Sequence, residues 1–377
     1  PDTFFYDEMK KTPGLVAKML GRQFYSPHVY RKLKRLIQDT KPDVVYVLHF
    51  LKRLSPSILD ACHHCRVPVV VRLSDFGLIC ANNIFFRDGK ICQLCEKNQI
   101  HGLKYRCVKG SLFASAVRYL AHRFHETRGV FKKIDTLVCP SNFMTAVFSR
   151  NSHFGKIPVC HLPTFTDFSV FDAQKGRPSF GERSSQPYGI YQGRLEFEKG
   201  VDLIVDALKI LRQRDVNLGF KFIGKSNDPA YEEKLKFMVA EAGLENVEFC
   251  GFLDKEKLFG LMRHALVSVV PSRWVDNMPN SLIESQATGL PVVAPDQGCF
   301  PELIADQVNG ALFESDNASD LAKQIETVIS DEMKWEQMSR QAEKWVRDYC
   351  SADKHYIRLM EILTAAVEHG READVGK

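Results

Sequence analysis

Two cations and two carboxylates stand at spacings that suit work on a diphosphate. Arg194 and Lys199 lie five positions apart in QGRLEFEKG, flanked by Gly193 and Gly200. Glycine lets a backbone approach a ligand closely. An arginine fork and a lysine point charge beside such a backbone can clamp a pyrophosphate, although Gly-Arg after a strand also occurs as a plain surface salt-bridge pair. Asp276 and Glu284 lie eight positions apart in PSRWVDNMPNSLIESQATGLPVVA, one in a polar loop and one a turn into a helix. Both can face one cleft.

The flanking pattern positions these groups. Leu266–Val270 is an apolar run closed by Pro271, which reads as a strand buried on both faces. Asn280 or Ser281 can cap a helix that runs to about Thr288; Gly289 ends it and PVVA starts the next buried strand. Strand, loop, helix, strand sets free helix amides beside a strand's C-terminal end, where α/β proteins take ligands and where phosphate is favoured.

Strand and helix alternate along the rest of the chain. Lys41–Phe50, Val67–Phe76, Lys133–Ser141 and Ile157–Phe168 read as strands separated by helical segments, the signature of a doubly wound parallel sheet. Residues 169–187 lose periodicity and fill with Gly, Ser, Pro and charge, as a linker does. The alternation restarts at YGIYQGRL and continues to about 345, and 346–377 read as a helical tail. The expectation is an α/β protein of two domains, 1–168 and 188–345.

A chain of 377 residues with 45% hydrophobic and 26% charged content is globular, and no apolar run approaches the ~20 residues of a membrane helix. The N-terminus lacks a signal-peptide layout, and an opening Pro1 suggests that upstream residues are absent. Residues 1–170 carry 26 Lys+Arg against 12 Asp+Glu and the remainder 25 against 34, so halves of +14 and −9 give the net +5. Such asymmetry suggests that the first half addresses something anionic, an anionic membrane surface or a phospholipid-linked acceptor before nucleic acid, or else is scattered solvated charge. The stretch SPHVYRKLKRLIQDT, residues 26–40, reads as an amphipathic helix with a basic side, a solvated face first and a membrane-facing one second. Eleven cysteines without a secretion signal point to reduced thiols in the cytosol. Cys80, Cys92, Cys95 and Cys107 form C-x11-C-x2-C-x11-C within a Gly- and charge-bearing insertion. The spacing fits a structural zinc knuckle, with unpaired thiols or disulfides as the alternatives.

Together, Gly193, Arg194, Glu198, Lys199 and Gly200, FIGKS with Gly224, VEFCGFL with Gly251, and the 271–294 motif resemble the retaining nucleotide-sugar glycosyltransferases of family 4. The likeness covers most of 188–345. It implies a GT-B fold: two facing Rossmann-like, doubly wound parallel-sheet domains with a nucleoside-diphosphate sugar, UDP- or GDP-linked, between them. Arg194 and Lys199 would bind the diphosphate, Glu284 the ribose hydroxyls, and Asp276, where the family usually has Glu, the sugar. Asn280, Ser281 and Leu282 would offer amides to phosphate, while Gly224 and the segment with Phe252 would floor the base site. Catalysis would need no divalent metal.

The first half matches more loosely. Ser74-Asp75 stands where the family often shows His-Asp, which puts Asp75 beside the donor. The family's opening strand and Gly-rich loop are missing from residues 1–40. The implied activity is retaining transfer of a sugar to a glycan or lipid-linked glycan in cell-surface polysaccharide synthesis, at the cytoplasmic face of the membrane. An epimerase or hydrolase on the same fold, or a non-catalytic nucleotide-sugar-binding partner, are the alternatives. No nucleic acid partner is expected.

Overall fold

A computed structural model describes residues 21–48, 50–51, 54–172 and 178–375, with side chains to residue 370. Residues 1–20 and His49 lie outside the described residues, so the expected loss of an opening strand unit falls partly there.

The first lobe begins with a helix, α1 (Pro27–Thr40), started by Ser26, whose hydroxyl accepts from the Val29 amide, and by proline in the first turn. Valine-rich strands β1 (Val45–Val47) and β2 (Val69–Arg72) follow, joined by α2 (Ser57–His64). A short hairpin, β3 (Phe86–Arg87) and β4 (Lys90–Ile91), lies in the cysteine insertion. Helix α3 (Leu112–Thr127) leads to β5 (Thr136–Cys139), and α4 (Asn142–Arg150) to β6 (Val159–His161). The four main strands pair in parallel in the order β1-β2-β5-β6. All four coincide with strands expected from the sequence.

The second lobe is a parallel six-stranded sheet. Its strands are β7 (Tyr188–Gln192), β8 (Gly219–Ile223), β9 (Val247–Gly251), β10 (Val267–Val269), β11 (Val292–Pro295) and β12 (Gly310–Phe313), ordered β12-β11-β10-β7-β8-β9. The chain builds outward from β7 in one direction, then returns to lay β10 on its other side. The gap between the C-terminal ends of β7 and β10 is therefore the topological switch point, where open α/β sheets bind ligands. Helix α5 (Val201–Gln213) buries an apolar face on this sheet, and α6 (Asn280–Ala287) follows β10.

Two expected boundaries shift. The 169–187 linker is partly folded: Ser179 and Glu182 close a capping box on a short helix, Phe180–Ser184. From that helix, Arg183 is buried, lies 4.8 Å from the centre of the Trp335 ring and donates to Ala265 O at 2.7 Å. At the C-terminus, α7 (Glu332–Tyr349) runs through residue 345 on the second lobe, and α8 (Ala352–Val375) returns to the first. There Ile362 and Ala366 join Val70, Val138 and Leu162 in one buried cluster. The incoming and returning crossings are bonded to each other: Thr166 N donates to Cys350 O at 3.2 Å, and His355 Nδ1 lies 2.7 Å from Pro163 O.

The lobes meet across the cleft. Val275 of the second lobe is buried within the first lobe's core, and Asn277 donates to Ser74 O. Both oxygens of Glu302 accept from the amides of Asn142 and Phe143 at 2.6 Å. A carboxylate there satisfies free helix N–H groups and complements the positive end of α4.

Candidate donor-binding site

Close backbone packing forms the floor. Gly193 (φ +154°) and Gly224 (φ +138°) follow β7 and β8, and a Cβ on Gly224 would lie 1.8 Å from Gly193 O. No side chain fits there. At Gly200 (φ +69°) a Cβ would lie 2.0 Å from Pro271 O, so the turn carrying Lys199 presses against the loop after β10.

That contact brings two expected residues together. Lys199 Nζ lies 2.9 Å from Asp276 Oδ2 and 3.3 Å from Oδ1, and its ammonium stands 4.5 Å from the centre of the Trp274 ring. Ser272 Oγ donates to Asp276 Oδ2 at 2.8 Å, and the carboxylate is buried. Glu284, on the first turns of α6, accepts from Gln192 Nε2 at 2.8 Å. A carboxylate only accepts, so the Gln192 amide must turn its nitrogen toward Glu284; its Oε1 is buried without a partner.

Arg194 is not drawn into this cluster. Its side chain is 53% exposed, and its guanidinium lies 3.8 Å from Glu196. The loop is held because Tyr191 OH donates to Arg194 O at 2.6 Å. Burial, and then the charge of Asp276, push the Tyr191 phenol well above its ordinary range, so it stays a donor.

Three expected positions differ from their assigned roles. Asp75 turns back into its own loop, where Oδ1 accepts from Gly77 N at 2.7 Å. The N-cap of α6 is Pro279, not Asn280 or Ser281, and no side chain caps it. Leu282 N already bonds Pro279 O at 3.2 Å, so among the three named residues Asn280 and Ser281 carry the amides not used this way. Phe252 is 79% exposed at the end of β9.

Arg273 was missed by the sequence reading. It is buried and bridges the two loops: its guanidinium contacts Asp202 at 2.5 and 3.1 Å, Asp316 at 2.6 Å and Phe197 O at 3.0 Å. It also lies over the Phe197 ring at 4.4 Å, and its amide donates to Glu198 O at 3.0 Å. Tyr231 OH donates to Asp202 at 2.9 Å. The Arg273 network thus fixes the segment that carries Lys199. Its partners lie 71 and 43 positions away, so no local pattern announces it.

The structure does not show the zinc site that the cysteine spacing suggests. Cys80, Cys92, Cys95 and Cys107 are free thiols, and among the described residues no three His, Cys, Asp or Glu side chains are arranged to hold a metal ion. Cys80 Sγ instead donates to Asn82 Oδ1 at 2.8 Å. Burial pushes the Cys80 thiol up to about 11 and pushes Cys95 and Cys107 up as well, and the neighbouring cysteines of the insertion add to each shift.

Residues 172–345 match the family model of glycosyl transferases group 1. A mannosyltransferase of lipopolysaccharide core biosynthesis from Rhizobium meliloti is 32% identical over 137 residues, which cover 36% of this chain and 38% of that protein. Over the whole fold, a glycosyltransferase from Rickettsia africae superposes with a TM-score of 0.66 at 17% identity, covering 96% of this chain and 84% of that one. The HepE protein of Anabaena, in complex with UDP and glucose, superposes with a TM-score of 0.63 at 17% identity, covering 88% and 80%. The match spans 39% and 38% of the length of the first two curated relatives. The likeness to the group 1 glycosyl transferases is confined to residues 172–345, and the chain as a whole has the two-lobed GT-B architecture.

Proposed function

We propose that this chain transfers a sugar, with retention of anomeric configuration, from a nucleoside-diphosphate sugar to a glycan or lipid-linked glycan. The observation that carries the reading is the Lys199–Asp276 pair at the switch point, with Glu284 and the uncapped start of α6 in the same second-lobe motif. The UDP and glucose named for the Anabaena relative favour a UDP-sugar as donor. The lipopolysaccharide role of the Rhizobium relative favours a cell-surface glycan as acceptor.

In this reading the donor's diphosphate takes Lys199 and swings Arg194 in from solvent. As the bond from the anomeric carbon to the diphosphate oxygen breaks, negative charge grows on that oxygen and the two cations stabilise it, with no divalent metal required. The acceptor hydroxyl attacks from the same face, and the departing phosphate oxygen takes its proton. Asp276 then holds sugar hydroxyls and Glu284 the ribose. Attachment to the inner face of the membrane would bring a lipid-linked acceptor to the cleft.

A thermal-shift screen against UDP, GDP and their sugars tests the donor site. We expect stabilisation by a nucleotide sugar that disappears in Lys199→Ala. An unchanged shift in that variant overturns the diphosphate assignment.

A further inference from the structure

The insertion between β2 and α3 does more than decorate the first lobe. It packs large apolar side chains outward among unpaired cations. Leu112, Phe113 and Leu120 are 53%, 65% and 55% exposed. Phe113 and Leu120 lie seven positions apart, on one face of α3, while Ser115, Ala121, His122 and His125 are buried on the other. Ile91, Leu94, Ile100 and Tyr105 of the insertion are exposed as well.

Charge around it is one-sided. Residues 80–123 contain eight Lys and Arg against two acids, Asp88 and Glu96. Both acids are already neutralised: Asp88 pairs with Arg87, and Glu96 with Arg150 at 3.1 Å. Lys97, Lys104, Arg106 and Lys109 are exposed and form no ion pair among the described residues. The same element reaches the cleft, since Phe86 on its hairpin meets Phe197 at 6.3 Å between ring centres. Phe197 opens the turn that carries Lys199.

We infer that this surface docks on an anionic lipid bilayer. Leu112, Phe113 and Leu120 enter the boundary between headgroups and acyl chains, Tyr105 sits at headgroup level, and the four cations meet anionic headgroups. Charge complementarity selects a membrane over an apolar protein partner. No helix among the described residues is long and apolar enough to cross one, so contact is interfacial. Binding rests on the surface alone; that docking presents a lipid-linked acceptor to the cleft rests on the function proposed above.

Flotation of the full chain with phosphatidylcholine vesicles, with and without phosphatidylglycerol, tests it. We expect binding only to the anionic vesicles. Each basic residue near such a surface contributes about 1 kcal/mol, so Lys104→Glu/Arg106→Glu/Lys109→Glu should lower partitioning more than tenfold, and Leu112→Ser/Phe113→Ser should do likewise. Unchanged melting midpoints and donor-induced thermal shifts in both variants show that fold and donor site survive, which separates this test from that of the donor reading. Absence of anion-dependent flotation by the unmodified chain overturns the inference, as does flotation that neither variant weakens. So does a Leu112→Ser/Phe113→Ser variant that only converts a dimer to a monomer on size exclusion, which would make the surface a self-interface.

Discussion

Lys199 and Asp276 stand 2.9 Å apart, although 77 positions separate them in the chain. The lysine side chain is 18% exposed and the aspartate side chain 6%. Within this structure the cation's partner is therefore an acid that, in our reading, faces the sugar. A diphosphate must compete for Lys199, and success frees Asp276 toward the sugar. Lys199→Ala should lower turnover by on the order of 10²-fold, in the range of losing one preorganised charge stabiliser. It should also lower stability, because it leaves a buried carboxylate unpaired. Arg194→Ala, by contrast, should weaken transfer with no change in melting midpoint. Steady-state kinetics and thermal denaturation on both variants distinguish the two roles.

Gln192 holds Glu284 through one hydrogen bond and keeps a buried, unpartnered oxygen. Gln192→Leu should release Glu284 and weaken donor binding about tenfold, the scale of one hydrogen bond to a charged group. Isothermal titration with the nucleotide checks it. A loss equal for the ribose and 2′-deoxyribose forms would show that Glu284 does not read that hydroxyl.

Glu302 joins the lobes by capping α4 from across the cleft. Glu302→Ala removes both 2.6 Å contacts. The lobes should then populate more open arrangements, seen as a larger radius of gyration by solution scattering, with the second lobe's own stability little changed. Glu302→Gln, which keeps one acceptor oxygen, should fall between the two.

His122 and His125 are buried together against Phe131. Burial and then the neighbouring Arg118 push His122 from 6.5 down to about 3, and burial also lowers His125. The unfolded chain takes up a proton near pH 6.5 that the folded first lobe refuses. Stability should therefore be fully present above that value and decline as pH falls from about 6.5 toward 3. Denaturant midpoints between pH 7 and pH 4.5 measure the slope, and His122→Phe should flatten it.

The strands of both lobes were legible because their signal is local: continuous runs such as VVYV, VVVR and SVV need both faces covered, and α/β layering supplies that. The Lys199–Asp276 contact was legible for a related reason, since both residues sit in short, ordered patterns. Less legible is which way a side chain turns. Asp75 prefers the nearby Gly77 amide, and Cys80 prefers Asn82. Arg273 and Glu302 escaped notice because each acts only through a partner distant in the chain. The destination of α8 escaped too: its amphipathic pattern says that it packs, not on which lobe.

The two peptide crossings, near 163–172 and at 350–352, are bonded to each other rather than running separately. They act as a single two-ply spine. A proteolytic nick in either ply would leave the halves joined by the other, so a cut chain should still migrate as one particle under native conditions. Relative movement of the lobes should then be a flexing about that line, and in our reading a glycan would reach the cleft from the side facing away from it.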